Sequence, residues 1–203
     1  MKRISEHFSA HAKGFSLPEL LVIVVILGVT AAVGIPAFFF LVQRARVQSV
    51  ALEVAGGIEN VRNVAANVDS NSNSRDIGGC RLTFVQSSSQ AGQAVASTDC
   101  TNTTLPGGEI RIPDIQGDSV ALSIEQGTSP IYFTPRGLWT QTAGSTTAGG
   151  TPGAGFKLKI TLSGGGPSRC VRISPVLGSV DIGRPSGGNS DSCSDASAEW
   201  QTI

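Results

Sequence analysis

Glu19 is an acid placed where an acid is costly. From Leu20 to Val42 no residue is charged. At 1.5 Å per helical residue that run reaches roughly 34 Å, enough to cross a hydrocarbon core of ~30 Å. A carboxylate at the head of such a helix needs a partner, because hydrocarbon supplies none. Ahead of it, a short basic stretch ends in Lys13-Gly14-Phe15. A secretory signal carries its small-residue cleavage site after its apolar core; here the glycine comes before it. A plain single-pass anchor accounts for the apolar run and gives no reason for Glu19. The chemistry these residues suggest is charge pairing at Glu19 with a partner the apolar run does not supply.

Chemistry done by the chain finds little support. Both histidines, His7 and His11, precede Gly14, so residues 15–203 contain none. That removes Ser-His-Asp triads, histidine general acid–base catalysis and histidine-ligated metals. No enzyme activity, cofactor or metal site is expected. Basic and acidic residues balance at 15 each. Without Lys2, Arg3, Lys13 and Glu6 the remainder is slightly acidic, which argues against nucleic-acid binding through net charge.

The elements that carry these residues follow from periodicity. Val47, Val50, Ala51, Val54, Ile58, Val61, Val64, Ala65 and Val68 recur at three- and four-residue steps. They predict an amphipathic helix ending near Asp69 and packed on a sheet. Gly56-Gly57 interrupts it, so either the sheet approaches closely there or the helix bends. Short strands are expected at 81–85, 109–112, 119–124 and 131–134. In FKLKITLS (156–163), Phe156, Leu158, Ile160 and Leu162 face one way and Lys157, Lys159, Thr161 and Ser163 the other. Segments 170–174 and 179–182 read as a hairpin, and the Gly- and Ser-rich stretches 143–155 and 183–198 as loops.

Four cysteines, Cys80, Cys100, Cys170 and Cys193, all follow the apolar run. None forms a CxxC pair, so zinc and thioredoxin-like readings lack support. A Gly- and Ser-rich exported domain with few aromatics gains from cross-links. Of three possible connectivities, Cys80–Cys100 with Cys170–Cys193 is favoured, because each closes a loop of about 20 residues. Each bond is worth ~3 kcal/mol by the chain-entropy model; free thiols are the alternative.

Gly14, Phe15, Glu19, Gly28 and Pro36 together resemble the class III signal and first helix of the type IV pilin and type II secretion pseudopilin superfamily. Pro18 departs from the usual aliphatic residue, at a place in the first helical turn where proline is tolerated. The resemblance implies that a prepilin peptidase cuts after Gly14 and methylates the amino group of Phe15. It also implies that Glu19 pairs with the free amino group of a neighbouring subunit's first residue during assembly. Between Gly28 and Pro36 the family's helix melts in the assembled pilus; in an isolated protomer a continuous, kinked helix is expected.

Phe133-Thr134-Pro135-Arg136-Gly137 with Leu138-Trp139, then Arg169-Cys170-Val171, Ser174-Pro175 and Leu177-Gly178, resemble the C-terminal half of H-type pseudopilins and T-type minor pilins. In the T-type relatives a basic strand after the Leu-Gly turn is associated with DNA uptake. Here Gly178-Ser179-Val180-Asp181 lacks the arginine pair and adds an acid. Lys157, Lys159, Arg169, Arg172 and Arg184 would make a nucleic-acid patch only if their strands were adjacent and faced outward. Asp181, Asn189, Asp191 and Asp195 suggest calcium ligands but follow no EF-hand spacing. Trp139 and Trp200 read as core or tail-anchoring residues.

The expected architecture is α+β, a long N-terminal helix on a small antiparallel β-sheet domain. Residues 1–14 are the leader and 15–42 the transmembrane and filament-core helix. Residues 43–69 are the amphipathic helix and 70–203 the exported β-rich domain. The expected function is a minor subunit of a type IV-like filament, with a DNA- or cargo-binding minor pilin as the alternative. Expected partners are other pilin or pseudopilin subunits, prepilin peptidase, the inner-membrane assembly platform and the membrane. The expected location is the cell inner membrane with a periplasmic domain, extracellular in an assembled pilus.

Overall fold

A computed structural model describes residues 14–67, 79–86, 88–100, 108–115, 118–135, 137–141, 155–163, 165–175, 178–185, 192–193 and 199–202. Among these residues one helix, α1 (Leu17–Asn67), precedes eleven strands. They are β1 (Cys80–Phe84), β2 (Ser88–Gln90), β3 (Ala94–Cys100), β4 (Glu109–Arg111), β5 (Ser119–Gln126) and β6 (Ile131–Phe133). They continue with β7 (Trp139–Thr140), β8 (Phe156–Leu162), β9 (Ser168–Ile173), β10 (Val180–Arg184) and β11 (Glu199–Thr202). The chain divides into two units, one ending at Phe40 and the other beginning at Leu41.

In the first unit every described side chain is exposed. Its helix is long and apolar enough to cross a membrane. Pro36 lies within the helix without ending it. Thr30 adds no orphaned hydroxyl to the apolar run, because its Oγ1 donates to the Ile26 and Leu27 carbonyls, each at 3.0 Å. Such bonding to the helix's own backbone is how a membrane helix carries threonine.

The second unit is built on the apolar stripe. Val47, Val50, Ala51, Val54, Ala55 and Ile58 are fully buried and Val61 nearly so. They join one core with Leu82, Phe84, Ile131 and Phe133 of one sheet and Phe156, Leu158, Ile160, Val171 and Ile173 of the other. The first sheet runs β4-β3-β1-β6-β7 and the second β11-β10-β9-β8-β5-β2. Every strand pair in both is antiparallel. The Phe84 and Phe156 rings stack 5.2 Å apart and tie the two sheets together. The fold is α+β, with the amphipathic helix against two antiparallel sheets.

Gly57 answers the question raised by the glycine pair. A Cβ there would stand 2.7 Å from Ile110 Cγ1 and 2.8 Å from its Cδ1. The sheet approaches closely at Gly57, and the helix continues past it to Asn67. Gly56 faces open space.

The two local disulfides are present, Cys80–Cys100 and Cys170–Cys193. Cys80 and Cys100 stand directly opposite each other on β1 and β3. Several sequence expectations need correction. β2, β3, β7 and β11 were not anticipated, and residues 183 and 184 belong to β10 instead of opening a loop. Asp69 and most of the two expected loops, 143–155 and 183–198, lie outside the described residues.

Candidate functional site

At the start of α1, Ser16 and Glu19 form one hydrogen-bonded turn. Glu19 Oε2 accepts the Ser16 backbone N–H at 2.9 Å and the Ser16 hydroxyl at 2.8 Å. The Leu20 N–H donates to the Ser16 carbonyl at 3.2 Å. This is the carboxylate half of a capping box, in which an acid three residues into the helix satisfies the N-cap amide. Its negative charge also suits the positive end of the helix dipole. Pro18 fits because a first-turn residue has no intrahelical N–H bond to lose. Glu19 therefore has a partner within its own chain, which the sequence reading overlooked although Ser16-Leu17-Pro18-Glu19 spells the motif.

Both bonds fall on Oε2, so Oε1 remains open to another donor among the described residues. Phe15, 78% exposed, shares one shallow apolar surface with Pro18, Glu19, Val22 and Ile23. Gly14 is exposed and outside the helix. Gly28 is exposed, and a Cβ on it would meet open space. Pro36 is exposed as well. The Gly14–Phe15 bond is thus presented in extended or irregular backbone immediately before a capped apolar helix.

The expected basic patch does not form as one surface. β8, β9 and β10 are adjacent, but alternation along a strand splits the cations between two faces. Lys157 stands opposite Arg172 and Lys159 opposite Cys170, which puts those three cations on one face. Arg169 stands opposite Ile160, on the other face, and Arg184 is one step beyond the Gly183–Cys170 pair on that same side. Lys157 is buried. Arg172 Nη2 pairs with Asp181 Oδ2 at 2.7 Å, and its guanidinium lies 4.3 Å from the centre of a Trp200 ring. Asp181 is thereby an ion-pair partner of arginine, and Asn189, Asp191 and Asp195 lie outside the described residues.

A second site joins the two C-terminal motif segments. Trp139 Nε1 donates to the Ser174 carbonyl at 2.8 Å. Arg62 Nε, from the helix, donates to the Gly137 carbonyl at 3.2 Å, and the Val180 N–H donates to Glu59 Oε1 at 3.2 Å. Gly178, at φ 63°, closes the β9–β10 turn with its N–H on the Ser174 carbonyl. A Cβ at Gly178 would lie 3.3 Å from the Gly137 carbonyl oxygen. Gly137, Trp139, Ser174 and Gly178 of the two motif segments are therefore one knot, clamped from the helix by Arg62 at Gly137 and by Glu59 at Val180. Neither helix residue was singled out in the sequence, because charged residues on a helix ordinarily read as its solvated face. Trp200 pairs with Gly183 across β10 and β11 and so anchors the C-terminal strand.

Comparison of the chain with protein-family models, with curated proteins and with solved structures finds no match in any of the three.

Proposed function

We propose that this chain is a prepilin whose processed form joins a type IV-like filament, a type II secretion pseudopilus or a type IV pilus, as a minor subunit. The observation that carries the reading is the N-terminal turn. An exposed Gly14–Phe15 junction directly precedes a helix whose first turn holds Glu19 with one carboxylate oxygen open. The apolar part of the helix up to Phe40, with every described side chain exposed, has the surface required for packing among like helices.

In this reading prepilin peptidase cleaves after Gly14 and methylates Phe15. Glu19 Oε1 then accepts the terminal ammonium of a neighbouring subunit while Oε2 keeps the helix capped. Gly28 and Pro36 mark the stretch that yields in the filament. The inner-membrane assembly platform receives the subunit, and the β domain is periplasmic before assembly. Chemistry is done to the chain and not by it. Recovery of the protein in sheared filaments of a cell with complete assembly machinery, and its loss with Glu19→Ala, is the expected result. Equal recovery of Glu19→Ala would contradict the registration role.

The DNA-binding alternative is weakened. Its five cations lie on two faces, and one of them, Arg172, is engaged with Asp181.

A further inference from the structure

Arg169 is used by neither processing nor assembly. It is 4% exposed, yet its Nη2 meets no hydrogen-bond partner among the described residues. Its Nη1 donates to the Ser168 carbonyl at 3.1 Å. It joins none of the ion pairs among the described residues. A guanidinium carries five donors and keeps its charge in proteins. Buried without an anion, such a group is costly.

Two further cations converge on it. The β9–β10 register sets Arg184 beside Arg169 on the face turned toward the helix. Arg44 precedes buried Val47 by one helical turn. Its neighbour Gln43 lies 3.6 Å from where a Cβ on Gly166, in the β8–β9 connection, would stand. Burial first, then Arg184, then Arg44 lower the pKa of Arg169 from its ordinary value. Arg44 and Arg184 are exposed, so the inner guanidinium has a rim of two long cationic side chains.

Arg44 also lies next to the apolar run. It follows Val42, the last residue of the apolar run, by two positions, about 3 Å of helical rise. On a spanning helix that is headgroup depth, where arginines meet lipid phosphates. We propose that Arg44, Arg169 and Arg184 bind the phosphate of an anionic phospholipid headgroup, with Arg169 as the inner donor and the other two as the rim. The site rests on the membrane-spanning reading of the helix and is independent of filament assembly. A DNA phosphate offers the same oxygens, but the place of Arg44 beside the apolar run favours a lipid.

The test is native mass spectrometry of the full chain released from bilayers of equal phosphatidylglycerol and phosphatidylcholine. Preferential retention of phosphatidylglycerol is expected. Arg44→Gln combined with Arg184→Gln, both at exposed positions, should reduce that preference about 25-fold, at roughly fivefold per cation near an anionic surface. Equal retention of the two lipids, or an unchanged preference in the double variant, overturns the site. Displacement of the lipid by millimolar inorganic phosphate would make it a free-phosphate site. A salt-sensitive DNA shift that the double variant loses, without lipid preference, would make it a nucleic-acid site. Either outcome overturns the lipid assignment. Resistance of the chain to alkaline extraction from vesicles tests the span separately. Extraction contradicts the span and the site together, whereas retention without headgroup preference contradicts the site alone.

Discussion

The Glu19 carboxylate receives both the backbone N–H and the hydroxyl of Ser16 through a single oxygen, Oε2. An acid at the head of an apolar helix therefore has an intrachain use before any neighbour arrives. A loss of function in a Glu19 variant would by itself mix two effects, a frayed first turn and a missing intersubunit partner.

Ser16→Ala separates them. It removes the hydroxyl donor and keeps the backbone N–H on Oε2, so Glu19 stays at the helix start with Oε1 still available. We expect Ser16→Ala to speed amide exchange in the first helical turn and to leave filament incorporation near the level of the unaltered protein. Glu19→Ala should lose both. If Ser16→Ala abolished incorporation as fully as Glu19→Ala, capping alone would explain the acid.

The two adjacent glycines should behave oppositely. Gly56 faces open space, so Gly56→Ala should stabilise the protein by up to ~1 kcal/mol through helix propensity. Gly57→Val should destabilise it by about 1–3 kcal/mol, because its Cβ would meet Ile110 Cγ1 at 2.7 Å. Urea unfolding of the full chain in detergent measures both. Similar midpoints for the two variants would contradict the close approach of β4.

How much was legible in the sequence depended on what each residue packs against. The helix, β8 and the β9–β10 hairpin were readable because their apolar residues keep one period. β3 was not, since Ala94-Val95-Ala96-Ser97-Thr98-Asp99-Cys100 has little intrinsic strand preference. It is held by β1 on one side, β4 on the other and the Cys80–Cys100 bond. The basic patch failed for a related reason. Arg169 and Arg172 are three residues apart, an odd step that puts them on opposite faces of any strand. Glu59 and Arg62 were invisible because their partners, Val180 at the start of β10 and Gly137 in a turn, are more than seventy positions away.

Arg169 should be removable with a gain in stability. Met keeps much of the length of its stem and none of its unpartnered N–H groups. Arg169→Met should raise unfolding free energy by about 1–2 kcal/mol, the scale of relieving one buried unsatisfied donor. Thermal unfolding in lipid-free detergent is the measurement. A lower midpoint would show that Arg169 is already satisfied.

Each disulfide closes a local loop, at sequence separations of 20 and 23. Paired replacement by serine should cost about 2–4 kcal/mol for either bond. The Cys170–Cys193 pair should also loosen the contact from the Cys193 N–H to Glu125 Oε2, 2.6 Å long. Comparison of urea midpoints before and after reduction checks both. Unchanged midpoints would mean that the strand ladders alone hold these segments.

The central claim is that this chain is processed as a prepilin. Intact mass spectrometry of the protein recovered from cells with an active prepilin peptidase tests it most directly. The account predicts a chain that has lost Met1–Gly14 and begins at Phe15 with one added methyl group. A chain still beginning at Met1 in those cells would contradict it and leave a membrane-anchored domain whose Glu19 serves only to cap its helix.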